Sequence, residues 1–139
     1  MLSYLRKEIY MFKVIFYEDK TGYSELFELL SALAEKAPSD KDKRIQLKQI
    51  TLHIELLKQQ GTRLPNNITK HLRDDIWELR PGGNRILYFY FKDNMFVLLH
   101  MFKKKTQKTP IQEIDKAIRE KNDYISRNKE RWNENLGRF

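Results

Sequence analysis

No cysteine occurs among the 139 residues. A disulfide framework, a thiolate zinc site and a cysteine nucleophile are therefore excluded. No apolar run exceeds the six residues from Ile86 to Phe91, far short of the ~20 that a membrane-spanning helix needs. The amino-terminal stretch MLSYLRKEIY has no apolar core of signal-peptide length, and a cytoplasmic location is expected. Neither G-x-x-x-x-G-K-[ST] nor G-x-G-x-x-G occurs, so no phosphate-cradling glycine loop is expected. The three histidines, His53, His71 and His100, lack metal-ligand spacing. No metal or cofactor is expected, and chemistry would fall to Lys, Arg, His, Tyr or carboxylates.

What the chain does have is positive charge, unevenly placed. Residues 1–67 carry 11 basic and 9 acidic residues, net +2, whereas residues 68–139 carry 16 and 10, net +6. A basic surface attracts polyanions, nucleic acid first and anionic membrane second. A lysine excess that merely solubilises the fold is the plainer reading.

Hydrophobic residues make up 40% of the chain, enough for one compact domain with its own core. Phe12 to Glu18 reads as a short strand, broken by Thr21-Gly22. Apolar residues at 23, 26, 27, 30, 33 and 34 have helix spacing, and Pro38 ends that helix. Ser39 is the expected N-cap of the next helix, with Asp42 completing a capping-box pattern. Leu47, Ile50, Ile54 and Leu57 form its apolar face, and Gly61 stops it. Two such helices predict an antiparallel hairpin that must pack on a sheet.

The sheet is expected from Asp75–Arg80, Asn84–Lys92 and Met95–Phe102. The turns PGG and DN between them tolerate positive φ, which suggests two successive hairpins. The middle run is apolar at almost every position and reads as a strand covered on both faces. Thr109, Pro110 and Gln112 predict a capped helix start, followed by Ile111, Ile114, Ile118 and Ile125 at helical spacing. The expected fold is α+β: strand, helical hairpin, antiparallel meander, then a carboxy-terminal helix. No repeat, low-complexity segment or second domain is found. The last strand runs into Lys103, Lys104, Lys105 and Lys108, which line the loop before that helix.

Several residues can carry chemistry. The turn PGGN makes Arg80 and Arg85 cross-strand neighbours, and paired guanidiniums suit bidentate phosphate recognition. They can equally be rim arginines paired with Glu78, Asp74 or Asp75. His100 can transfer protons near neutrality or be a satisfied core residue. Lys103, Lys104 and Lys105 cannot all face one way, because strand side chains alternate. At least one is expected on the arginine side, as a base or a cation, unless the run is only a solvated loop. Lys70, Arg73 and Lys108 can extend a phosphate-tracking surface. Trp77, Tyr88 and Tyr90 read as core rather than as base-stacking platforms.

The segment LRDDIWELRPGGNRILYFYF, followed by LLHMFKKKTQKTPIQEIDKAIREKNDY, resembles the HigB-like branch of the RelE/ParE toxin superfamily. The E-L-R, G-x-R-[IV]-L-Y and F-x-K-K-T-x-K-T-P elements carry it, and it extends over residues 11–127. Residues 1–10 form an extension outside it, Met11 offers an alternative start, and residues 128–139 form a polar tail. The resemblance implies a type II toxin that inhibits translation by cleaving mRNA on the ribosome and is silenced by a cognate antitoxin. The reaction implied is metal-free attack of a 2′-hydroxyl on phosphorus, leaving a 2′,3′-cyclic phosphate. By resemblance, Arg80, Arg85, Lys103, Lys104 and Lys105 bind and stabilise the scissile phosphate. His100 or one of the lysines serves as acid or base, with Tyr90 a more distant candidate. The same resemblance implies a helix-turn-helix antitoxin and operator DNA reached only through the toxin–antitoxin complex. A ParE-like gyrase poison, a non-enzymatic RNA-binding module and an inert relative stay open as alternatives.

Overall fold

The structure, a computed structural model, describes residues 11–137, with side chains as far as residue 129. The amino-terminal extension and the tail residues Trp132, Leu136 and Phe139 therefore fall outside what is described of side chains. The element order is β1 (Lys13–Phe16), α1 (Glu25–Lys36), α2 (Lys41–Gln60), β2 (Thr69–Arg73), β3 (Ile76–Leu79), β4 (Asn84–Lys92), β5 (Met95–Lys103) and α3 (Ile111–Gly137), with a short 3₁₀ turn at Gly61–Arg63. One five-stranded sheet has the order β1-β5-β4-β3-β2, antiparallel except for the parallel β1–β5 pair.

The hydrophobic pattern of β4 explains the three layers. Ile86 and Tyr88 point to one face, with Leu79, Phe96 and Leu98, and meet Leu26, Leu33, Ile50 and Leu57 of the helical hairpin. Leu87 and Phe89 point to the other face, with Ile76, Val97 and Leu99, and meet Ala117 of α3. Each fully buried leucine or isoleucine in the hairpin layer contributes about 1.5–3 kcal/mol. The turns behave as their residues require: Gly82 has φ +61, and Asp93 and Asn94 have φ 52 and 58. At Gly82 a Cβ would also meet the Gln49 side chain at 2.3 Å, so the hairpin tip is seated against α2.

Several local expectations are corrected. Asp40, not Ser39, caps α2, accepting from the Lys43 amide at 3.2 Å. Ser39 still belongs to the turn leaving α1, where its N–H bonds to Lys36 O, while Asp40 has the extended backbone a cap requires. Asp42 accepts instead from Gln46 at 2.7 Å. Thr109 does not form the expected capping box, and Pro110 lies just before α3, where its carbonyl accepts the first helical amides. Tyr23, Phe27, Ile111 and Ile125 are exposed rather than part of the helix–sheet packing. The segment expected as a polar tail continues α3 to Gly137. Strand β2 and the β1 pairing were not anticipated. Strand β2 is mostly exposed and leads into its partner β3 through a turn at Asp74, a non-glycine residue at φ 53.

The far end of α3 is fastened to β1. Tyr17 Oη donates to Asp123 Oδ2 at 2.6 Å, and Arg127 donates to the same oxygen at 2.8 Å and to the Glu18 carbonyl. Burial first, then the Asp123 bond, pushes the Tyr17 phenol up from 10.0 to about 12. The Arg127 and Tyr17 bonds hold Asp123 below its ordinary 3.8. A raised phenol contributes stability below its unfolded value and loses it as pH climbs toward about 12. A depressed carboxylate contributes above its ordinary value and loses that as pH falls through it. Tyr17→Phe is expected to lower stability by about 0.5–1 kcal/mol at neutral pH. It should also flatten the alkaline limb of a melting-temperature-versus-pH curve and soften the acid limb, since Asp123 keeps only its Arg127 bonds, which is checked by thermal unfolding across that range.

Candidate functional site

The antiparallel register places the arginines. Leu79 pairs with Ile86, so the next step across the PGGN turn sets Arg80 opposite Arg85. Both follow the alternation of Glu78 and Leu87 onto the α3 face. Arg85 is 7% exposed, and its Nη1 donates to the carbonyls of Gly82 and Asn84 at 2.8 Å each. Burial lowers the Arg85 guanidinium from its ordinary value; Glu78 opposes this and Arg80 adds to it. Arg80 Nη1 donates to Asn66 O at 3.0 Å. Its Nε is buried without a hydrogen-bond partner, 3.6 Å from Glu78 Oε2.

The lysines divide around this pair. Lys104, Lys105 and Lys108 line one narrow cleft with Glu78, Arg85, Phe102 and Thr109. The Lys104 amide donates to Gly83 O at 2.8 Å, pinning the loop beside the hairpin turn. Lys103 does not reach that cleft. It is paired with Asn84 and lines the opposite-face groove with Lys36, Lys43, Leu29, Leu33 and Met101, a space of about 340 Å³. Lys104 borders both faces. Of the outlying cations, Lys70 is exposed on β2 opposite Glu78. Arg73 is engaged by Asp115 at 2.6 Å. Neither lines the cleft.

His100 has a different environment from the one a proton shuttle needs. It is 1% exposed. Its Nδ1 lies 2.5 Å from Glu120 Oε1 and its Nε2 2.9 Å from Glu113 Oε2, both on α3. Both ring nitrogens are engaged, and neither is left to face a substrate. Its reading as a satisfied core histidine is the one the packing fits. Tyr88 is buried and shares a 2.6 Å bond with Thr69 Oγ1, as its core reading implies, and Trp77 packs partly buried against the hairpin layer. Tyr90 departs from the core reading: it is 46% exposed and packs on Phe96, on the hairpin face. It is five residues along β4 from Arg85, about 17 Å away.

Glu78 was anticipated only as one of three alternative partners of the arginines, and the structure sets it beside Arg80. Its carboxyl is 2% exposed, facing Arg80 and accepting from Thr109 Oγ1 at 2.6 Å. The one sequence clue was a charged residue flanked by Trp77 and Leu79 within a short strand. Among the described residues no group of three or more His, Asp or Glu is placed to hold a metal ion, and no helix is long and apolar enough to cross a membrane.

This sheet, with a cationic cleft at one end of its central hairpin, is the RelE-like fold. A chain of the archaeal RelE–RelB complex from Pyrococcus horikoshii OT3 matches 70% of this chain and 99% of its own length, at 14% identity and a TM-score of 0.50. The YoeB dimer from Staphylococcus aureus matches over 69% and 99%, at 15% identity and a TM-score of 0.48. No curated protein matches the sequence. The chain belongs to the family described as Phage derived protein Gp49-like (DUF891), which matches residues 26–122.

The His100 environment yields a stability prediction. His100→Gln is expected to lose the ring contact to at least one of Glu113 and Glu120 and to lower stability by about 1–3 kcal/mol, the cost of leaving a buried polar group unpaired. Urea denaturation checks this, and a loss below about 0.5 kcal/mol would mean that the two ring contacts add no net stability.

Proposed function

We propose that this protein is the toxin of a type II toxin–antitoxin system, a ribosome-dependent, metal-independent mRNA endoribonuclease. The observation that carries the reading is that Arg85, Lys104, Lys105 and Lys108 line one cleft of a RelE-like fold, with Arg80 beside it against Glu78. Five cations gathered at one place repel each other, and a phosphodiester relieves that repulsion. Within the superfamily, the E-L-R, G-x-R-[IV]-L-Y and F-x-K-K-T-x-K-T-P elements favour the HigB-like branch as the finer assignment.

In this reading the 2′-hydroxyl attacks the adjacent phosphorus, the 5′-oxygen leaves, and a 2′,3′-cyclic phosphate remains. Charge builds on the phosphorane oxygens, and preorganised donors in a dry site stabilise it most. Arg85 is suited to this role, because backbone carbonyls already fix its guanidinium. Arg80 brings a buried, unpartnered Nε. The acid and base fall to the lysines that line the cleft, Lys104, Lys105 and Lys108, since His100, Lys103 and Tyr90 lie elsewhere. In this reading Lys70, exposed on β2, would meet flanking phosphates, and Arg73 would do so on leaving Asp115.

The partner in this reading is an antitoxin, consistent with the RelE–RelB complex found for the archaeal relative. The groove between α1, α2 and β5, with an apolar floor and Lys36, Lys43 and Lys103 on its rim, suits an acidic amphipathic segment. A helix-turn-helix antitoxin would then carry the complex to operator DNA. A toxin–antitoxin structure is expected to show such a segment over this groove or the basic face. A complex with both left open would require indirect silencing.

The deciding experiment is a cleavage map on a defined mRNA, with and without translating ribosomes at equal magnesium and salt, read by primer extension. Cuts only with ribosomes, in codon register, are expected. Arg80→Ala and Arg85→Ala should each reduce cleavage by about 10²–10³-fold while circular dichroism shows the fold retained. If both variants fold and still arrest growth, the phosphate-binding role is wrong. Growth arrest without any RNA cuts would favour a gyrase-directed or other non-nucleolytic target.

A further inference from the structure

Thr109 stands where a helix cap was expected, yet its hydroxyl donates to Glu78 Oε1 at 2.6 Å. Glu78 is a carboxylate at 2% exposure, an expensive place for a charge unless its partners are fixed. Its other oxygen faces Arg80 Nε at 3.6 Å, and its charge also supports the cationic form of Arg85. At the other end of the lysine loop, the Lys104 amide donates to Gly83 O at 2.8 Å. The loop from Lys104 to Thr109 is thus tied to the β3–β4 hairpin twice, once through backbone and once through the Glu78 side chain. The same side chain touches the arginine pair.

We infer that Glu78 is a positioning residue that, through Thr109, holds the lysine loop in register with Arg80 and Arg85. The tie has a chemical purpose. Arginines on strands are placed by the sheet, whereas lysines on a loop are not. A cationic site assembled from both works only if the loop is fixed to the strands, since a displacement of about 1 Å can cost about a hundredfold in rate. A neutral side chain at Glu78 would also leave two adjacent guanidiniums with no counter-charge between them. The consequence for cleavage rests on the nuclease reading; the tie itself does not.

The test uses the full chain as wild type, Thr109→Val, Thr109→Ser, Glu78→Gln and the Glu78→Gln/Thr109→Val double variant. Thr109→Val keeps the branched shape and removes only the donor. Amide hydrogen exchange at Lys104, whose N–H is bonded to Gly83 O, is expected to be about tenfold faster in Thr109→Val and normal in Thr109→Ser. An inorganic phosphate titration followed by NMR should shift the Arg80 and Arg85 side-chain signals in all proteins, but shift the Lys105 and Lys108 amides only where the tie survives. On programmed ribosomes, kcat should fall about tenfold or more in Thr109→Val and Glu78→Gln with KM nearly unchanged. The double variant should be slower than either single variant, because a glutamine amide oxygen still accepts from Thr109, so that Glu78→Gln removes the counter-charge and Thr109→Val removes the tie. Wild-type exchange and wild-type phosphate shifts in Thr109→Val would overturn the inference, as would a double variant no slower than Glu78→Gln alone. If wild type itself cuts nothing, the nuclease reading fails, and the exchange and phosphate data alone decide the tie.

Discussion

One register shift in β5 sets the sidedness of the whole charged end of the molecule. Leu87 pairs with His100, but the next residue, Tyr88, pairs with Leu98, so Leu99 is the extra residue of a bulge. Leu99 packs in the α3 layer, and His100, opposite Leu87, faces the same layer. Everything beyond then follows strict alternation: Met101 toward the helical hairpin, Phe102 opposite Arg85, Lys103 opposite Asn84. Without the bulge, His100 would be driven into an apolar hairpin layer with no carboxylate to meet it, and Lys103 would point to the arginine side. Bulges commonly re-aim side chains beside functional sites, and this one decides which lysines can join Arg80 and Arg85.

Three ionisable groups are nearly removed from water on the α3 face: Glu78, Arg85 and His100. Each is held by more than one partner. Arg85 has two carbonyls, His100 two carboxylates, and Glu78 a hydroxyl and a guanidinium. Networks of this kind rigidify when complete and are costly when incomplete. A domain of this size that commits buried charge to one face gains little stability from it. It gains side chains fixed in one arrangement, which phosphate chemistry requires.

How much of this was legible in the sequence follows the range of the physics involved. The bounds of β4 were readable because an unbroken apolar run lies between PGG and DN, both local signals. The opposition of Arg80 and Arg85 was readable for the same reason, since a tight turn makes its flanks neighbours. Strand β2 was not, because TKHLR has a weak apolar pattern and turns at Asp74, a residue that does not announce positive φ. The choice of Asp40 over Ser39 turned on where the preceding turn ends. Glu78, Thr109 and the α3 carboxylates around His100 depend on pairings 13 to 31 residues apart in sequence. The bulge depends on two strands at once. No window along the chain contains that information.

The two layers flanking the sheet are fastened by different forces. The hairpin layer rests on leucines and isoleucines that are fully out of water. Among its described residues helix α3 buries only Ala117 completely, and it is held by Arg73–Asp115, Lys116–Glu25, Lys121–Asp75 and the His100 carboxylates. Cooling weakens the first kind of attachment and added salt the second. The protein therefore has two separable edges of tolerance: a cold limit written in its hairpin, and an ionic-strength limit written in the helix that backs its cationic cleft.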